Sequence, residues 1–253
     1  MKSIVYLLVA FIAFLVSSCS SVFYQLYKTE SNSNLIPKDG NLVYEDENCQ
    51  VLYNLWSDKG NPGFRFYNKT DDDIYINMPE SYFILNGLAY NYYKERVYTH
   101  SGGGSVQVVS YYFGLGVSST NNVSISKKEE DIICIPAMTS KIITEYDIVE
   151  SPIKFCDYKE YPSSTSKINS LYFTKENTPL KFSNRITYWV GKMGGSVKII
   201  NEFIVTELTN YHSSKFVTKQ TKDECGEKLF PYKEVFKYPS PDKFFIKYTS
   251  TNK

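Results

Sequence analysis

Between Asn41 and Tyr248 apolar residues recur at every second position in short runs, and turn-forming residues break those runs. A period of two sends alternate side chains to opposite faces of an extended chain, whereas an amphipathic helix needs apolar residues at i, i+3, i+4 and i+7. In Cys49-Gln50-Val51-Leu52-Tyr53-Asn54-Leu55-Trp56, the residues Cys49, Val51, Tyr53 and Leu55 share one face. The same reading predicts strands over 42–44, 64–67, 74–76, 131–135, 141–148, 180–190, 197–208 and 244–248. Ser81 to Leu85 and Leu88 to Tyr93 flank Asn86-Gly87, a dipeptide whose two positions both tolerate positive φ and so favour a two-residue hairpin. Pro136 and Pro179 fall at the ends of predicted strands, where a missing N–H does least harm. No long helical stripe occurs, so the expected class is an all-β antiparallel sandwich with few or no helices beyond an N-terminal leader.

The run Phe66-Tyr67-Asn68-Lys69-Thr70 ahead of Ile74-Tyr75-Ile76 resembles the strand-turn-strand corner of immunoglobulin-like bacterial envelope modules. Phe182-Ser183-Asn184-Arg185 before Ile186-Thr187-Tyr188-Trp189 partly echoes it. The resemblance implies an immunoglobulin-like sandwich with elaborations. One domain over 42–253 is the first reading, and two sandwiches divided near 150–165 the alternative.

Lys2 precedes an uncharged stretch from Ile4 to Val16, followed by Ser17-Ser18-Cys19-Ser20. A bilayer core of about 30 Å requires roughly 20 apolar residues in helical form, so this stretch is short for a span and has the form of a secretory leader. Val16-Ser17-Ser18-Cys19 resembles the lipobox of bacterial lipoproteins. The resemblance implies cleavage of the signal peptide, residues 1–18, between Ser18 and Cys19, and lipidation of Cys19 by a diacylglyceryl thioether with acylation of the new amine. It further implies attachment to the membrane through the N-terminal lipid. Ser20 is not the Asp that often retains lipoproteins at the inner membrane, so outer-membrane sorting is expected, with periplasmic and surface faces both open. The composition, rich in Lys, Asn, Ile and Tyr with Arg only at 65, 96 and 185, is similar to that of envelope lipoproteins of Bacteroidota.

Loss of the leader removes Lys2 and leaves 27 basic against 27 acidic residues. A neutral chain has no electrostatic footprint for nucleic acid. Residues 19–41, with the polar run Thr29 to Asn34, are expected to form a lipidated cysteine and flexible tether. Cys49, Cys134, Cys156 and Cys225 then remain, an even number in an exported chain, which permits two disulfides in three pairings. The apolar, Gly-punctuated run from Val106 to Val117, which follows Gly102-Gly103-Gly104-Ser105, holds Tyr111 and Tyr112 and precedes the polar Ser118 to Ser126, is expected as a strand or an ordered loop.

Chemistry is sparsely signalled. Only His100 and His212 carry imidazole, and no nucleophile elbow, His-Glu-x-x-His pair, Walker loop or dinucleotide fingerprint occurs. Asp71-Asp72-Asp73 reads as a solvated turn because a calcium loop alternates its ligands around a central Gly. Glu129-Glu130-Asp131 after Lys127-Lys128 reads as an exposed charged edge. No catalytic residue, metal site or cofactor is assigned. Tyr90, Tyr92, Tyr93 and Tyr98, with Tyr111 and Tyr112, offer apolar faces with hydroxyls, suited to sugar stacking, to a protein interface or to core packing. The expected function is a non-catalytic binding, adhesive or structural accessory module whose partner is an envelope protein or a glycan. The alternative is an envelope hydrolase cleaving glycans with two carboxylates.

Overall fold

The computed structural model describes residues 21–31, 33–101, 105–109 and 124–250. The leader, Ser18 and Cys19, and Tyr111 and Tyr112 lie outside the described residues. Among the described residues the chain is an all-β antiparallel sandwich with one short helix. Its larger sheet takes β1 (Val22–Ser31), β6 (Ile74–Asn77), β7 (Tyr82–Leu85), β8 (Leu88–Asn91), β12 (Ile132–Ile135), β14 (Ser170–Tyr172), β15 (Lys181–Val190), β16 (Val197–His212) and β19 (Lys243–Thr249). The smaller sheet runs in the order β13 (Ser140–Ile143), β5 (Phe64–Asn68), β4 (Cys49–Tyr53), β3 (Asn41–Glu45), β2 (Ile36–Lys38). A three-stranded sheet, β10 (Ser105–Val109), β9 (Val97–Ser101) and β11 (Ser124–Lys128), contains parts of the Gly-punctuated region expected as strand or loop. A hairpin, β17 (Val217–Lys222) and β18 (Lys228–Phe236), follows helix α1 (Ser213–Phe216).

Alternation decides which face of each strand is inside. Cys49, Val51, Tyr53 and Leu55 are all fully buried, as their shared face requires. They meet the larger sheet face to face: the Tyr53 ring packs edge-on to Phe203 at 5.3 Å and Phe66 edge-on to Tyr188 at 5.4 Å. Burying a large apolar side chain contributes about 2–3 kcal/mol, so these inward rows supply most of the driving force. Two buried asparagines on paired positions of β15 and β16 meet tyrosine hydroxyls from the opposite side, Asn184 accepting from Tyr92 at 2.6 Å and Asn201 from Tyr53 at 2.8 Å.

The 66–70 run is a corner between sheets, since β5 belongs to the smaller sheet and β6 to the larger. Buried Asn68 pins it: its Nδ2 donates to the carbonyls of Asp72 (2.8 Å) and Ile135 (3.0 Å), and its Oδ1 accepts from the Thr70 N–H (2.8 Å). The echo at 182–185 is not a second corner, because β15 continues without a break from Lys181 to Val190. Nor do the two halves of the chain make separate sandwiches. Strands β1, β6 and β7 from the first half pair with β15 and β16 from the second within one sheet.

The expected tether over 19–41 is corrected at its centre. β1 lies between β16 and β19, paired from Phe23 opposite His212 to Ser31 opposite Phe203 on one side with a bulge between Lys28 and Thr29, and from Val22 opposite Thr249 on the other. Tyr27 points into the main core, while Tyr24 and Leu26 enter a second cluster with Phe216 and Phe245 under the β17–β18 hairpin. With both faces covered the strand has no polar side to show, so its sequence lacks alternation. The 141–148 strand is also corrected. It ends at Ile143, and residues 144–148 cross the sandwich as a loop.

Candidate functional site

Asn86 and Gly87 take φ of 48° and 85°, the positive pair that closes the β7–β8 hairpin. This fixes Phe83 opposite Tyr90 across the hairpin, one ring buried and the other 39% exposed. The 144–148 loop then lays Tyr146 beside both. Its ring stacks on Phe83 at 5.4 Å and lies 5.7 Å from Tyr90 and 5.6 Å from Tyr92, while its hydroxyl donates to the Asn91 carbonyl. Leu85 and Ile148 complete the apolar floor of a shallow depression of about 280 Å³, and Glu145, Asp147 and Glu150 line it as well.

Each of these carboxylates already faces a cation. Lys59 lies 3.8 Å from Asp147 and 3.3 Å from Glu150. Glu145 bonds Lys94 at 2.7 Å and Arg96 at 2.9 Å, and Arg96 reaches Glu129 at 2.7 Å. Lys94 also lies 4.7 Å above the Tyr146 ring, a cation–π contact that orients the aromatic face. Glu129 and Glu145 are thus the carboxylates brought together, one on each side of Arg96, and both are occupied in holding the guanidinium. Glu129, read above as an exposed edge residue, is instead only 13% exposed. The backbone N–H groups of Lys94 and Arg96 donate to its second oxygen, which joins the segment entering β9 to the one leaving β11.

Burial alone would raise the Glu129 carboxyl, but the Arg96 guanidinium and the two N–H donors outweigh it and hold the group below its ordinary value of 4.5. A depressed carboxylate stabilises the fold fully above its unfolded pKa, and the contribution is lost as pH falls through the folded value. The expected melting temperature is therefore flat above about pH 5.5 and falls steadily below about pH 4.5. Arg96→Met removes the cation between two largely covered carboxylates and should lower stability by about 2–3 kcal/mol at neutral pH, with a flatter acid limb. Thermal melts of both proteins from pH 3 to 8, an interval of about five units around the carboxylate range, check this.

The other marked residues lie apart from the depression. Cys49, Cys134, Cys156 and Cys225 are all free thiols, so neither permitted disulfide is formed. They sit on β4, on β12, in the loop after β13 and in the β17–β18 turn, and Cys49 alone is buried. Burial, reinforced by the Asp46 carboxylate, pushes the Cys49 thiol well above its ordinary value and keeps it protonated. His212 caps α1 with Nδ1, 3.3 Å from the Ser214 N–H and 2.9 Å from its hydroxyl. His100 lies within β9. Asp71, Asp72 and Asp73 form the exposed turn of the corner, and among the described residues no group of three His, Cys, Asp or Glu side chains gathers in a metal-binding arrangement.

Of the tyrosines singled out, Tyr92 is core, Tyr93 and Tyr98 are half-buried, and Tyr90 is exposed at the depression. Tyr146 falls inside the strand that the sequence predicts over 141–148, so it does not stand out there as a site residue. Ile142, Thr144, Tyr146 and Ile148 alternate as the inner face of a strand would, so no local pattern marks Tyr146 as a loop residue. The chain matches no protein-family model, no curated protein and no solved structure.

Proposed function

We propose that this chain is a lipid-anchored protein of the cell envelope, held at the outer membrane through Cys19, whose sandwich binds a glycan without cleaving it. The observation that carries the binding reading is the Tyr90–Tyr146 ledge with its ring of already paired charges. The exposed Tyr90 ring can accept the C–H face of a sugar ring, and Tyr146, held between Phe83 and Lys94, backs it. Carboxylates and ammonium groups fixed by each other offer hydroxyl groups an oriented set of acceptors and donors at little ordering cost. A shallow groove of this kind suits a chain ligand laid across it rather than an enclosed small molecule.

The test is titration of envelope glycans and a glycan panel against the soluble Cys19→Ala protein and its Tyr90→Ala and Tyr146→Ala variants. Saturable binding is expected, with each variant weakened about tenfold, a loss of about 1.4 kcal/mol. Binding that both variants leave unchanged would remove the ledge from the proposal. Release of shortened sugars would replace it with hydrolysis.

A further inference from the structure

We infer that the end of the sandwich where β1 begins rests directly on the phospholipid headgroups; the inference depends on the lipid-anchor reading of Cys19. Only Ser20 and Ser21 separate Cys19 from Val22, which is already paired with Thr249, and the Ser250 N–H donates to the Ser21 carbonyl. Three residue steps span at most about 10 Å, against about 50 Å for the 16-residue strand β16. The headgroup layer on each side of a bilayer is itself about 5–8 Å deep. A lipid on Cys19 therefore leaves this end no room to stand away from the surface.

The chemistry of the same end suits that contact. Phe23 packs against Tyr161 at 5.2 Å and Tyr248 at 5.7 Å, and both tyrosines are half-exposed. Tyrosine is the side chain that settles at headgroup depth, ring inward and hydroxyl out. Around them Lys159 and Lys167 are exposed, and Lys215 is bonded to the Ser166 carbonyl, which holds the 159–168 loop beside His212 at the end of β16. Of the acids nearby, Glu160 is paired with Lys154 at 2.9 Å and the exposed Asp157 offsets one of the three lysines, so the remaining charge is positive and faces anionic headgroups. One consequence concerns the ledge. Leu85 pairs with Phe182 and Phe182 with Phe203, nine positions from His212 along β16, so the Tyr90–Tyr146 ledge lies about 30 Å along the strand from the membrane end.

The experiment compares amide hydrogen exchange of the lipidated full chain, bound to phosphatidylcholine–phosphatidylglycerol vesicles, with that of soluble Cys19→Ala. Exchange across 159–168 should slow about tenfold on the vesicles, while the Asp71–Asp73 turn at the opposite end is unchanged. The doubly substituted Lys159→Glu, Lys167→Glu protein should stay anchored and lose most of that protection. The mass of the N-terminal peptide reports the anchor independently. An acylated, vesicle-bound protein whose 159–168 exchange is unaltered overturns the inference and leaves the anchor standing; absence of acyl chains on Cys19 overturns both.

Discussion

A fragment beginning at residue 32 should fail to fold, whereas one beginning at residue 20 folds cooperatively. The difference is β1. Its removal takes Tyr27 out of the main cluster and Tyr24 and Leu26 out of the second, and removes Phe23 as well; all four are at least nine-tenths buried. At about 2–3 kcal/mol each these side chains account for roughly 10 kcal/mol, comparable with the whole stability of a typical domain. The loss also detaches β19, whose ladder partner is β1, and opens the edge of β16 from Phe203 to His212. Circular dichroism and urea titration of the two fragments check the expectation. A cooperative transition in the shorter one would mean that residues 22–31 are dispensable, as a tether would be.

The second large effect is expected at Gln25, a fully buried amide in the middle of β1. Its Oε1 accepts from the Tyr27 hydroxyl and from the Ile153 N–H at 2.7 Å; its Nε2 donates to the Ile153 carbonyl at 2.9 Å and to Asn210 Oδ1 at 2.8 Å. One side chain thus satisfies groups on β1, β16 and the loop that follows the ledge. Gln25→Leu keeps the approximate size and strands several of those partners. Each unsatisfied buried polar group costs about 1–3 kcal/mol, so a loss of about 3–5 kcal/mol is expected. Burial already holds the Tyr27 hydroxyl far above the ordinary tyrosine range, so ionisation offers it no escape. Urea denaturation of the variant measures the loss, and hydrogen exchange should show the first opening at Ile153 to Tyr158. A cost below about 1 kcal/mol would mean that water replaces the amide.

Much of the smaller sheet and the β7–β8 hairpin can be read from the chain because the governing rules are local. Asn86-Gly87 specifies its own turn, and Cys49 to Leu55 alternate because one face of β4 is dry and the other is wet. β1 escapes the same rule because both its faces are covered, which erases the alternation that distinguishes a strand from an unstructured apolar stretch. The polar residues that follow it then colour the whole segment as linker. The ledge is only half legible. A Tyr-rich neighbourhood at 90–98 points to it, but Tyr146 arrives from 54 positions beyond Tyr92 through a crossing loop, and no local pattern encodes that approach. The Arg96 cluster is hidden for the same reason, its acids lying 33 and 49 positions away. Charge in the sequence predicts an exposed edge, and only the fold shows that the edge folds back on a guanidinium.

Placement of the fold against the bilayer requires that the sandwich follow a lipidated cysteine with almost no linker. The direct measurement is mass spectrometry of the N-terminal peptide released from protein purified out of the membrane fraction, beside the Cys19→Ala variant. The expected result is a peptide starting at Cys19 and carrying acyl chains, with the variant recovered unacylated and outside that fraction. A peptide that starts elsewhere, or a Cys19→Ala protein that still sediments with membranes, would contradict the anchor and with it the placement of the fold against the bilayer.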